Sequence, residues 1–206
     1  MKTSKILVAS LTMGVACFAV SAATYYVSPD GAGTSYTARE PGPLAGAAAK
    51  VGNGDELVLK RGFYHLPTLI GSTSKTDGAQ DYLKFANKTG LIVRSEDGDR
   101  SGTVIYGDGE YGTEGVRAAY FHGQMTFCGL TVSNFYGNWG GALTAQNATI
   151  SNCLFVCNHS KGVGGAVRYG TIVDCEFISN VADLMSPTMR AEQSRMPGLC
   201  PTVSFG

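Results

Sequence analysis

Toward its C-terminal end the chain repeats itself. GGAL at Gly140–Leu143 returns as GGAV at Gly164–Val167, and FVCN at Phe155–Asn158 returns as FISN at Phe177–Asn180. The two echoes recur at nearly the same interval, from Gly140 to Gly164 and from Phe155 to Phe177. A weaker copy, LTVSN at Leu130–Asn134, precedes FVCN by a similar step. A period of about 20–25 residues, rich in Gly, Asn and β-formers, reads as one coil of a solenoid. One coil cannot bury its apolar face alone, so successive coils must stack.

The bulk composition agrees with such a fold. Only 16% of residues are charged and 28 are glycine, which suits an all-β chain with many tight bends. The 206 residues suffice for one domain with a real core. Formal net charge is zero, and no basic surface of the kind a nucleic-acid partner requires is visible.

The segment from Met1 to Ala23 reads as a secretory leader. Lys2 and Lys5 precede an apolar run from Ile6 to Val20, too short for a spanning helix. Ser21-Ala22-Ala23 supplies the small residues of a cleavage site, placing the cut after Ala23. A lipidated alternative at Cys17 stands beside this reading, although Gly14 occupies the place where such signals carry Leu. The mature chain is expected to be secreted or held at the cell surface, and not membrane-spanning.

Residues 24–182 form the expected domain. Tyr25–Ser28, Leu57–Leu59, Phe63-Tyr64, Tyr82–Phe85, Leu91–Arg94 and Thr103–Tyr106 read as strands. Leu44–Val51 is Ala-rich, follows Pro43 and ends at Gly52, so it reads as a short helix. Laid across the first coil, it would cap an otherwise open edge; the competing reading is that the helix is incidental. Residues 71–81 and 107–115 read as polar loops. Residues 183–206 contain three prolines and three methionines and no trace of the repeat. That tail is either a makeshift cap or the end of a truncated array. The edge of the last coil would then recruit a second copy, giving self-association through the C-terminal end.

Two ladders are expected within the coils. Cys128, Cys153 and Cys175 recur at close to the coil period and would point inward in one line. They would act either as buried thiols or as a disulfide between neighbouring rungs. No His accompanies them at metal-ligand spacing. Asn134, Asn158 and Asn180 would occupy equivalent bends and bond from coil to coil.

A family resemblance extends this reading. The segments YYVSPDG at Tyr25–Gly31, the Ala-rich helix and GDELVLKRGFY at Gly54–Tyr64 resemble the N-terminal region of secreted proteins of the pectin-lyase-like superfamily. The GGA[LV] and Phe-x-x-Asn repeats look like those of the polymorphic outer membrane protein family, whose passenger regions are surface β-helices. The resemblance covers about Tyr25 to Ala182. It implies a right-handed parallel β-helix with a short N-terminal capping helix. The chain shows no C-terminal translocator barrel, and it stops before most of the coils that the lyase-like families carry.

Two functions follow as expectations. The first is a displayed structural or adhesive module that associates with polysaccharide or a cell-surface glycan, without a cofactor. Trp139, beside Gly140-Gly141, and Tyr136 are the candidate contacts; a core or anchoring role for these rings is the competing reading. The second is a polysaccharide lyase or glycoside hydrolase. The resemblance implies that a lyase stacks Asp or Glu ligands for Ca²⁺ on adjacent coils with a basic residue nearby; a hydrolase sets two carboxyls across the scissile bond. No such stack is legible: Glu176 aligns with Leu154, and Asp174 with Asn152 and then Phe127. Arg168 and His159 read as solvated loop residues, and Glu96, Asp97 and Asp99 as a charged turn or a weak cation site.

Overall fold

The computed structural model describes residues 22–67, 75–76, 79–109 and 116–183. Most of the expected leader, part of each polar loop, and the tail from residue 184 with Cys200 lie outside the described residues. The described chain is nearly all β, and its strands lie almost entirely in parallel sheets.

Sequence order and spatial order coincide in two of the three sheets. The first sheet runs Thr24–Val27, Glu56–Leu59, Ile92–Ser95, Thr126–Cys128, Thr149–Ser151, Thr171–Val173. The second runs Gly62–His65, Thr103–Tyr106, Thr131–Ser133, Leu154–Val156, Glu176–Ile178. The third joins two parallel runs. One is Ala79–Ala86, Val116–His122, Leu143–Gln146, Val167–Arg168, and the other is Tyr136–Gly137, His159–Ser160, Val181–Ala182. A single antiparallel bridge, Tyr136 to Val116, connects them. The only other antiparallel pairing among the described residues is Lys75–Thr76 with Ala79-Gln80. Each late circuit of the chain therefore adds one strand to the first sheet, one to the second and one to each run of the third before returning to the first.

The late circuits match the sequence echoes. Thr126 pairs with Thr149, and Thr149 with Thr171, so the two turns differ in length by a single position. In the first four three-residue strands the middle side chain points inward: Phe127, Val132, Ile150 and Phe155 are all fully buried. Rings stack from turn to turn, with Phe85 and Phe121 centroids 5.6 Å apart and Phe155 and Phe177 5.1 Å apart. Burying each such side chain contributes about 1.5–3 kcal/mol.

The bends also repeat. Gly129, Asn152 and Asp174 turn the chain between the first and second sheets with φ of 69°, 47° and 50°. Gly140 and Gly164 are left-handed at 72° and 73°. A Cβ at either would collide with the carbonyl of Leu143 or Val167 respectively. That collision explains the first glycine of each echoed pair. The second, Gly141, lies against the Gly165 carbonyl of the next turn, where a side chain would push the strands apart.

At the N-terminal end the helix is Leu44–Ala48, shorter than the expected Leu44–Val51. The Gly52 N–H donates to the Asp55 carboxylate at 2.7 Å and draws the chain out of the helical path. Leu44 and Ala47 are buried, and the helix packs on Thr24–Val27, Glu56–Leu59 and Ala79–Ala86. The free edge of Thr24–Val27 is covered by another segment: Tyr26 N–H donates to the Tyr36 carbonyl, and Gly42 N–H to the Tyr26 carbonyl. At the other end, Ile172 and Phe177 lie in register with Ile150 and Phe155 but are 40% and 47% exposed.

Both expected ladders shrink by one member. Cys128 pairs with Ser151, so it is not in line with Cys153. The turn from Thr126 to Thr149 is shorter than the step from Cys128 to Cys153. Cys128 is therefore two positions early, on a part-buried site beside Arg94 and Glu56. Cys153 and Cys175 do correspond, since Ser151 pairs with Val173. Asn134 is likewise one position early. It shares its left-handed bend with Cys157 and Ser179, at φ 59°, 54° and 54°, and its amide donates to the Gly107 carbonyl. Cys157 itself is disulfide-bonded.

Asn158 and Asn180 form the ladder as expected. Asn158 Nδ2 donates to Val132 O and to Asn180 Oδ1, each at 2.9 Å. Its Oδ1 accepts from the Phe135 N–H at 3.1 Å. Asn180 Nδ2 repeats the bond one turn on, to Phe155 O at 2.9 Å.

Among the described residues no helix is long and apolar enough to cross a membrane.

Candidate functional site

The bend after Tyr136–Gly137 carries Trp139 outward, and the next circuit brings Val167–Arg168 alongside. The Arg168 guanidinium carbon lies 5.0 Å from the Trp139 ring centroid and 4.5 Å from that of Tyr169. Its Nη2 donates to the Tyr169 hydroxyl at 2.8 Å. The result is a cation held between two aromatic faces, one 40% and the other 56% exposed. Arg168 is thus part of a built cluster and not a solvated loop residue. Tyr169 has φ 65°, a conformation that costs a bulky side chain free energy; here it turns the ring out of the sheet.

Tyr169 also forms one wall of an open groove of about 950 Å³. The groove runs along the bends between the third and first sheets. Asn87, Gly123, Asn147 and Gly170 all have positive φ there, at 55°, 134°, 63° and 92°. Successive bends supply Gln124, Gln146 and Asn147, and the hydroxyls of Thr89 and Thr171. Each amide offers both a donor and an acceptor. Sequence reasoning missed these residues because bends repeat in backbone conformation and not in residue type.

Beneath the aromatic cluster lies a buried ion pair. Asp81 and Arg117 are directly paired across adjacent strands, with both side chains fully buried and Nε to Oδ1 at 2.8 Å. Arg117 Nη1 donates to the Trp139 carbonyl at 2.9 Å and to Thr144 Oγ1 at 2.6 Å. Thr144 Oγ1 in turn donates to the same Trp139 carbonyl at 3.0 Å. The pair therefore anchors the loop that presents the indole. An Arg between Val116 and the apolar run AAYF at residues 118–121 was the available signal.

Tyr136, the second expected contact, is corrected. It is only 3% exposed; the ring meets His159 edge-on with centroids 5.1 Å apart, and Lys161 Nζ lies 5.3 Å from its centroid. A two-residue strand held between Val116 and His159 leaves that ring no solvent face. His159 is no loop residue either: it pairs with Asp183 at 3.0 Å.

The acidic turn is exposed, as expected of a charged turn, and its carboxylates are ion-paired. Arg61 bridges Asp97 at 2.9 Å and Asp99 at 2.7 Å, and Lys60 lies 3.7 Å from Glu96. The Ser101 hydroxyl and then Arg61 hold the Asp99 carboxyl down at about 2. Along the coils Glu176 lies beside Leu154, and Leu154 beside Thr131. Asp174 shares its bend with Asn152 and Gly129; the expected partner Phe127 lies two positions earlier. Among the described residues no group of three or more His, Cys, Asp or Glu side chains is placed to hold a metal ion.

Comparison with family models, curated proteins and solved structures finds no match to this chain.

Proposed function

We propose that the chain is a right-handed parallel β-helix, of the kind found in the pectin-lyase-like superfamily, which acts as an exported, surface-displayed adhesive module binding glycan. The repeated circuit through three parallel sheets supports the architecture, and the leader-like sequence from Met1 to Ala23 supports export. The observation that carries the function is the aromatic pair Trp139 and Tyr169 clasping Arg168, with Tyr169 also walling an amide-lined groove. A sugar ring offers an apolar face and a rim of hydroxyls. The first suits an exposed aromatic ring; the second suits amides that both donate and accept. Arg168 adds a positive charge suited to an acidic sugar. No cofactor enters this reading.

Affinity electrophoresis through gels containing neutral or uronic-acid polysaccharides tests it. Wild-type protein is expected to be retarded by at least one polysaccharide. Trp139→Ala and Tyr169→Ala should each weaken that retardation about tenfold or more, while circular dichroism stays unchanged. Equal migration of wild type and both variants in every gel would refute the assignment.

A further inference from the structure

Cys153 and Cys175 follow the same left-handed bend on successive turns. Asn152 and Asp174, just before them, have φ of 47° and 50°, and Ser151 pairs with Val173 in the ladder that leads in. Immediately after, the Glu176 N–H donates to the Cys153 carbonyl at 2.9 Å. Neighbouring strands lie about 4.8 Å apart, within the Cα separation of about 4.4–6.8 Å that a disulfide spans. Both cysteines are free, and their thiols sit alike on successive turns: Cys153 Sγ lies 3.2 Å from Ser151 O, and Cys175 Sγ lies 3.3 Å from Val173 O, the equivalent carbonyl one turn on. Cys153 is fully buried, and Cys175 is part-buried. The third free thiol, Cys128, faces Arg94 and Glu56 instead.

We propose that Cys153 and Cys175 form an oxidation site, in which peroxide converts the pair to a disulfide that ties the last described turn to the one before it. Cys175 is the attacking group and Cys153 the resolving one. The Cys175 sulfur attacks one peroxide oxygen; the O–O bond breaks, and the departing hydroxide takes up a proton as water. Cys175 is left as a sulfenic acid. Cys153 then gives up its proton and attacks the Cys175 sulfur; the S–O bond breaks and a second water leaves. The two sulfurs together lose two electrons, and peroxide gains them.

The surroundings assign the roles. The neighbouring Cys153 thiol is the main cause holding the Cys175 thiol down at about 6, with the Arg100 guanidinium assisting. The same neighbour effect, with burial, pushes Cys153 up. One sulfur is thus a thiolate at neutral pH and the other keeps its proton until it is needed. The Arg100 guanidinium is fixed nearby by a bond to the Cys153 carbonyl at 3.2 Å and a bridge to Glu176 at 2.9 Å.

The test is to treat the full-length protein with hydrogen peroxide, alkylate it and map it by peptide mass spectrometry without reduction. Cys153 and Cys175 are expected to lose their alkyl labels together and to appear as one cross-linked peptide, with Cys128 labelled as before. Cys128→Ser should cross-link as wild type does. In Cys153→Ala, no cross-link forms and Cys175 should be captured by a sulfenic-acid reagent. Its alkylation at pH 7 should slow about tenfold or more, because the thiolate fraction falls as the lost Cys153 thiol lets that of Cys175 rise toward its ordinary range. Two results would overturn the proposal. One is Cys175 labelled equally before and after peroxide; the other is a cross-link that joins Cys128 in place of Cys153.

Discussion

Replacing Arg117 with methionine is expected to destabilise the fold by about 3–5 kcal/mol, the usual cost of stranding a buried charge. The substitution leaves the Asp81 carboxylate buried without the guanidinium that meets it at 2.8 Å. It also removes the Nη1 donor to the Trp139 carbonyl and to Thr144 Oγ1. Urea unfolding should show the midpoint falling with an unchanged slope. The thermal midpoint should drop on the order of 10 °C. Converting both partners, Arg117→Met with Asp81→Leu, should recover most of the loss, because a well-packed apolar pair carries no desolvation penalty. If the double variant binds glycan poorly while folding well, the pair's role is to position Trp139. A loss below about 1 kcal/mol for Arg117→Met alone would mean that the pair is not dry.

Asn158→Ala should be the second large effect, at about 3 kcal/mol or more. Asn158 is wholly buried and serves three neighbours: Val132 O, Phe135 N–H and Asn180 Oδ1. Alanine leaves Val132 O and Phe135 N–H without that partner, and each orphaned buried group costs about 1–3 kcal/mol; Asn180 Oδ1 keeps the Asn158 backbone N–H at 3.0 Å. Asp and Leu should do no better, since neither both donates and accepts when buried here. Asn134→Ala is the matched control. Its side chain is exposed and makes one bond, to Gly107 O, so its loss should stay near about 1 kcal/mol. The contrast is measured by parallel denaturant titrations. Equal losses at Asn134 and Asn158 would contradict the register described above.

These residues also show what a sequence can carry. Thr103–Tyr106 begins and ends where its alternation says it should, and the Gly-Gly echo reflects a real collision with a neighbouring carbonyl. Repeats of that kind are legible because stacking forces the same steric demand on every turn. Register is a finer property. The turn from Thr126 to Thr149 is one position longer than that from Thr149 to Thr171, so counting intervals misplaced Cys128 by two positions and Asn134 by one. The Asp81–Arg117 pairing was missed for another reason, although Arg117 beside an apolar run hinted at a buried charge. Its partners are 36 residues apart on early, longer circuits, and no repeat links them. The groove amides share only a backbone bend, and Tyr136 looks like any exposed aromatic until its neighbours on both sides are known.

The surface around Trp139, Arg168 and Tyr169 is expected to hold glycan without cutting it. The direct measurement is to incubate the protein with the polysaccharide that retards it, following complex formation and the release of reducing ends or unsaturated uronates in one sample, with and without Ca²⁺. The predicted result is a stable complex with polymer length unchanged under both conditions. Shortened polymer that depends on intact protein, or no complex with any glycan offered, would contradict the claim.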